Sequence, residues 1–148
     1  MVDSDQDSRL PLTFSGWWNL AGEWIEPPNQ RRGGWSGVQH VSMGGLRYFI
    51  KKQCNHTYRS FGWPIRRPTV EREYRNLLRL AKLGIQAPTP VFYGERRSPD
   101  CIEGLLVTEE LSGFAPLTQQ QDLPLEQRTA LAAEAGRIFA RFHQAGLQ

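Results

Sequence analysis

The 148-residue sequence predicts an α+β protein, an antiparallel sheet carrying one helix, followed in the chain by a trailing second helix. Three observations predict this. Two runs of strand character, "WSGVQHV" and "LRYFIKKQ", flank an "MGG" turn, the pattern of a hairpin. Val70, Tyr74, Leu77, Leu78 and Ala81 recur at helical spacing, with Pro68 just before them and Gly84 just after. Leu125, Thr129, Ala132, Ala135, Ile138, Phe139 and Phe142 then mark one face of another helix, closed by Gly146.

Residues 1–15 are polar and acidic without periodicity, and are expected to form a loosely attached arm. "WWNLAGEWI" follows, rich in aromatics, and "EPPNQRRGG" reads as a loop. After the hairpin, "CNHTYRSFGWPIRRPT" has turn formers and two prolines and is expected to be a long excursion. Beyond the first helix, "PTPVFYGE" and "EGLLVTEEL" read as strands and "LSGFAPL" as a connector. Asp122 is placed to cap the second helix. The divisions expected are an arm over 1–15, a main lobe over 16–115, and a connector with the trailing helix over 116–148.

Composition is that of a globular chain, 39% hydrophobic and 22% charged, and no apolar run approaches the ~20 residues that cross a bilayer. The N-terminus is acidic where a signal peptide is basic and then apolar, so a cytoplasmic location is the default. Cys54 and Cys101 are too few for a disulfide framework and suit a reducing compartment. A zinc site from Cys54, His56 and Cys101 lacks ligand spacing to support it, and no metal site is expected. The net charge of +3 permits an anionic partner without demanding one.

Three features carry candidate chemistry. In "RRGGWSGV", Gly33, Gly34 and Gly37 free backbone N–H groups to approach a phosphate, although a plain hairpin turn looks the same. In "YFIKKQ", Phe49 and Lys51 share one face of a strand, where a lysine beside an apolar residue needs an anionic partner; Lys52 would face solvent. In "VEREYRNLL", Glu73 lies at the edge of the apolar face, within reach of a strand lysine, while Glu71 reads as a helix-start charge. Each alone is commonly surface charge or turn chemistry. Their order resembles that of a protein-kinase N-lobe, in which lysine holds the nucleotide phosphates and glutamate holds the lysine.

"GGWSGV" resembles the protein-kinase glycine-rich loop in a degenerate form, with Gly33, Gly34, Gly37 and Val38 at the nucleotide. "YFIK" is similar to the lysine-bearing strand, placing the phosphate lysine at Lys51, and "EREYRNLLRLAKLGI" resembles the helix that supplies its partner, Glu73. In "LLVTEELSG", Thr108 falls at the back pocket, and Glu109 to Leu111 fall on the hinge that meets adenine. Over roughly residues 17–148, and most specifically in "RLAKLGIQAPTPVFYGE", the chain resembles the lipopolysaccharide core kinases, the InaA-type and heptose or Kdo kinase group. The resemblance implies a protein-kinase-like N-lobe followed by the first long helix of a C-lobe. It implies ATP with Mg²⁺ as cofactors and phosphoryl transfer to a lipopolysaccharide core sugar at the cytoplasmic face of the inner membrane. A cluster of Phe61, Trp63, Arg66 and Arg67 suits a peripheral contact there with the membrane or a glycolipid.

In such a kinase the C-lobe helix leads into the catalytic loop and, later, a metal-binding Asp. "FHQAGLQ" matches the approach to that loop, so no catalytic residue is expected within the chain, the Mg²⁺ ligands are expected beyond Gln148, and residues 1–148 by themselves are expected to be inactive. The unpartnered face of Ile138, Phe139 and Phe142 is expected to associate or fray. His143 reads as a structural histidine at the helix end. Two alternatives stand beside this: a non-catalytic kinase-like regulatory module, and a nucleic-acid-binding module using the basic and aromatic residues between Arg59 and Arg97. Half of the aromatics occupy core positions, so no nucleic-acid partner is expected.

Overall fold

The structure, a computed structural model, describes residues 9–31, 33–120 and 122–146, the side chains of Ser60 and Trp63 excepted. The chain divides into two compact units at Glu110 and Leu111. In chain order the first contains α1 (Phe14–Asn19), β1 (Glu23–Arg31), β2 (Gly34–Met43), β3 (Leu46–Cys54), β4 (Thr57–Ser60), β5 (Trp63–Pro68), α2 (Val70–Lys82), β6 (Pro90–Arg97) and β7 (Ile102–Glu109). The second contains a 3-10 turn (Leu117–Gln119) and α3 (Leu125–Gln144). The α+β class holds.

Five strands form an antiparallel sheet in the order β1-β2-β3-β7-β6, and β4 pairs with β5 in a separate hairpin. Alternation gives the sheet two different faces. Tyr48 and Ile50 of β3, Val41 of β2, and Leu105 and Val107 of β7 bury one face against Trp17 of α1. Trp17 is fully buried and its ring lies 6.1 Å from that of Tyr48. On the other face, Val38 stands opposite Lys51, Lys51 opposite Leu106, and Phe49 opposite Thr108. Helix α2 packs on this face, where Tyr74 stacks on Tyr93 at 4.6 Å.

Four elements differ from what the sequence predicts. The expected loop "EPPNQRRGG" belongs largely to β1, an exposed edge strand whose register shifts between Glu26 and Asn29, around Pro27 and Pro28. An edge with bulges tolerates prolines that a central strand would not. The expected excursion contains the β4–β5 hairpin. Helix α1 starts at Phe14, inside the segment read as an arm, with the Thr13 hydroxyl accepting from Gly16 N at 3.1 Å. Residues 1–8 of that arm lie outside the described residues. Asp122 does not cap α3: the N-cap is Pro124, which makes no side-chain cap hydrogen bond.

Lys52 does not face solvent. It is 6% exposed, on the α1 side of the sheet, and its Nζ donates to the carbonyl of Leu20 at 3.2 Å. Leu20 ends α1, where a cation is favoured. Burial lowers the pKa of this ammonium. Glu71 is likewise more than a helix-start charge: at 4% exposure it accepts from Arg67 at 3.1 Å and from the Tyr58 hydroxyl, whose pKa burial and that bond raise.

Cys54 and Cys101 form a disulfide with their Cα atoms 5.8 Å apart. The pairing of Cys54 with Glu103 in the β3–β7 ladder brings the ends of the two strands within bridging range. These sulfurs bond each other rather than a metal. In the second unit, α3 buries no residue fully among those described, Phe139 remains exposed, and the Phe139 and Phe142 rings meet edge to face at 5.9 Å.

Candidate nucleotide site

The site begins with two positions that favour glycine, one by its backbone conformation and one by close approach. The turn from β1 to β2 passes through Gly33 at φ +80°, the left-handed region. A Cβ on Gly34 would lie 2.4 Å from the backbone of Asn55, so only glycine lets the hairpin tip rest against the end of β3. Gln30, Arg31, Gly33, Gly34 and Trp35 line a hollow of about 390 Å³ at this tip.

Lys51 projects from the middle of β3 on the α2 face, and its Nζ donates to Oε2 of Glu73 at 2.6 Å. Two supports fix this geometry. The start of α2 is held by Gln53, whose Oε1 accepts from Val70 N at 3.1 Å and from the Thr69 hydroxyl at 3.0 Å. The glycine at 104 lets that start lie flat on the sheet, because a Cβ there would fall 2.4 Å from Cβ of Pro68. Downstream, Arg67 donates to Glu95 at 2.8 Å and Tyr93 donates to the same carboxylate; burial, then that bond, raises the Tyr93 pKa.

The structure thus brings Lys51 and Glu73 into contact, and sets Val38 and Thr108 on the same face as Lys51 in neighbouring strands. Gly37 sits in β2 opposite Lys52, where a Cβ would meet the Trp24 ring at 2.7 Å, so its role in the fold is one of close packing. Glu109 ends β7 opposite Tyr48, and its N–H donates to Thr89. Leu111 opens the second unit. Sequence reasoning missed Gln53 and Gly104. The only signal for Gly104 was a glycine inside a strand pattern, which marks close backbone approach. Gln53 gave none.

Among the described residues, no group of three His, Cys, Asp or Glu side chains is arranged to hold a metal ion, and no helix is long and apolar enough to cross a membrane.

The fold and the lysine–glutamate contact define an α+β chain with a buttressed cation on one face of its sheet. Residues 15–148 match the family model described as the lipopolysaccharide kinase (Kdo/WaaP) family, and the chain belongs to that family. It is 33% identical over 141 residues to protein InaA of Escherichia coli (strain K12), a match covering 91% of this chain and 65% of that relative. No solved structure matches the chain.

Proposed function

We propose that this chain is the nucleotide-holding part of an ATP-dependent phosphotransferase that phosphorylates a sugar of the lipopolysaccharide core. The observation that carries the proposal is the Lys51–Glu73 contact. At 30% and 45% side-chain exposure, such a pair contributes only about 0–1 kcal/mol to stability, yet it is braced by Gln53 and by the close approach at Gly104. A lysine so placed is oriented for an anionic ligand, and the family's phosphotransfer supplies one.

In this assignment Lys51 holds the nucleotide phosphates and Glu73 holds Lys51. The turn at Gly33 and Gly34 offers backbone N–H groups to the phosphates, Val38 and Thr108 face the base, and Glu109 and Leu111 lie on the hinge, with Gly37 keeping β2 close to β1. ATP would supply the phosphoryl group, with Mg²⁺ offsetting the phosphate charge when bound; the transfer would make a phosphate monoester on the sugar and leave ADP, with the hydroxyl proton released. The Mg²⁺ ligands and the group that orients the acceptor are assigned to none of the described residues, and negligible turnover is expected from residues 1–148 by themselves. We place the reaction at the cytoplasmic face of the inner membrane. Phe61 and Ile65, exposed on the β4–β5 hairpin near Arg66, support a peripheral contact there; the Trp63 side chain, expected in that cluster, lies outside the described residues, and Arg67 instead serves the buried Glu71 and Glu95.

Titrating the chain with ATP, as wild type and as Lys51→Ala, tests the assignment. Affinity at least about tenfold weaker in the variant is expected; equal affinity overturns it.

A further inference from the structure

Beside the hairpin tip lies a second, larger hollow, of about 600 Å³, within the size range of small-molecule sites. Arg31, Arg59, Arg66 and Arg72 all line it. Among the described residues none of these four pairs with a carboxylate; the nearby carboxylate, Glu71, is taken up by Arg67, Arg75 and Tyr58. Four arginines lining one concavity repel each other, and among the described residues no carboxylate paired with them offsets that cost.

The walls are built rather than incidental. Arg72 lies over the Tyr58 ring at 4.9 Å, which fixes both side chains at the rim. His56 and Thr69 line the same hollow and bond each other, Nδ1 to Oγ1, at 2.8 Å. Thr69 in turn donates to the nearly fully buried Gln53. With the Thr69 proton on Gln53, the contact with His56 takes its hydrogen from Nδ1. Asn55, in the left-handed region at φ 53°, is tied across to β7 by Ile102 N donating to its side chain at 2.9 Å.

We propose that this hollow binds a phosphate monoester carried on a sugar-sized body, at a site separate from Lys51 and Glu73. A monoester carries close to two negative charges and three acceptor oxygens, which suits a hollow lined by several arginines better than a single carboxylate would. The volume exceeds what a bare ion needs. Arg31 lines both this hollow and the one at the glycine turn, so the bound ester sits next to the nucleotide end of the sheet. The proposal does not depend on the nucleotide assignment.

The test titrates the full chain with glucose 1-phosphate in solution, and separately with phosphatidylcholine vesicles that do or do not contain phosphatidic acid. The variants are Arg59→Gln/Arg66→Gln, Arg59→Lys/Arg66→Lys and Lys51→Ala, with a fluorescent ATP analogue as the parallel ligand. Both arginines are exposed, and circular dichroism checks that each variant folds. The expected result is phosphate-ester binding weakened at least about tenfold by the glutamine pair, partly restored by the lysine pair, and unchanged by Lys51→Ala. The ATP analogue should show the reverse dependence on Lys51. Binding of glucose 1-phosphate supports a free sugar phosphate as ligand, and binding confined to phosphatidic acid vesicles supports a headgroup. Binding of neither overturns the proposal, as does ester binding that survives the glutamine pair or disappears with Lys51→Ala.

Discussion

The Nζ of Lys51 and the Oε2 of Glu73 lie 2.6 Å apart, joining the middle of a central strand to the first turns of the helix packed on it. Both groups are partly exposed, so the contact orients a charge more than it holds the fold. Glu73→Gln is therefore expected to change unfolding stability by less than about 1 kcal/mol in urea melts. The same variant should weaken ATP binding several-fold in titration, because Lys51 loses its orienting partner.

Glu71, two residues earlier, is predicted to behave in the opposite way. Its carboxylate is buried among Arg67, Arg75 and Tyr58. Glu71→Ala should cost about 3 kcal/mol in a denaturant melt, at the lower end for a broken buried pair because Arg67 keeps Glu95. A loss no larger than that of Glu73→Ala would refute this division of labour.

Gly104→Ala is expected to destabilise the chain by about 1–3 kcal/mol, since the new methyl would meet Pro68 and Val70. Because Val70 opens α2, the same methyl should displace Glu73 and lower nucleotide affinity. Melts and ATP titration of one sample read both effects.

Lys52 gives a pH prediction. Burial lowers its pKa below the ordinary 10.5, so the folded chain releases this proton at lower pH than the unfolded chain does. Between the lowered value and 10.5 the unfolded state binds more protons, and stability rises with pH across that window. Lys52→Met should remove this rise while costing no more than about 1 kcal/mol at neutral pH, since an apolar side chain replaces a buried charge. Urea melts of both proteins from neutral pH to pH 11 measure it.

Much of this architecture was legible in the sequence where periodicity is strong. The spacing from Val70 to Ala81 marks a helix because one face must pack on the sheet, and the alternation in "LRYFIKKQ" puts Lys51 opposite the α1 face. What escaped was set by tertiary context. Pro27 and Pro28 argue against a strand unless it is an edge, and edge status depends on which strands pair. Lys52 reads as solvated by residue type, yet it finds the end of a short helix across the sheet. Glu71 and Glu73 are indistinguishable as letters. Their fates diverge because Arg67 and Tyr58 reach one and Lys51 reaches the other. The Cys54–Cys101 bond was hidden for the same reason: its partners are 47 residues apart and meet only through the β3–β7 ladder.

That bond also closes part of the chain into a covalent ring. Everything from Cys54 to Cys101, including β4, β5, α2 and β6, lies on one loop of backbone sealed by sulfur. Phe61, at the exposed bend between β4 and β5, is a natural target for a chymotryptic protease. A cut there opens the ring without dividing the molecule: the product should run as a single species on an oxidising gel and separate into two pieces only after thiol treatment. The hairpin beside the basic hollow can thus be severed while the lysine-bearing strand stays tethered to the helix that carries Glu73.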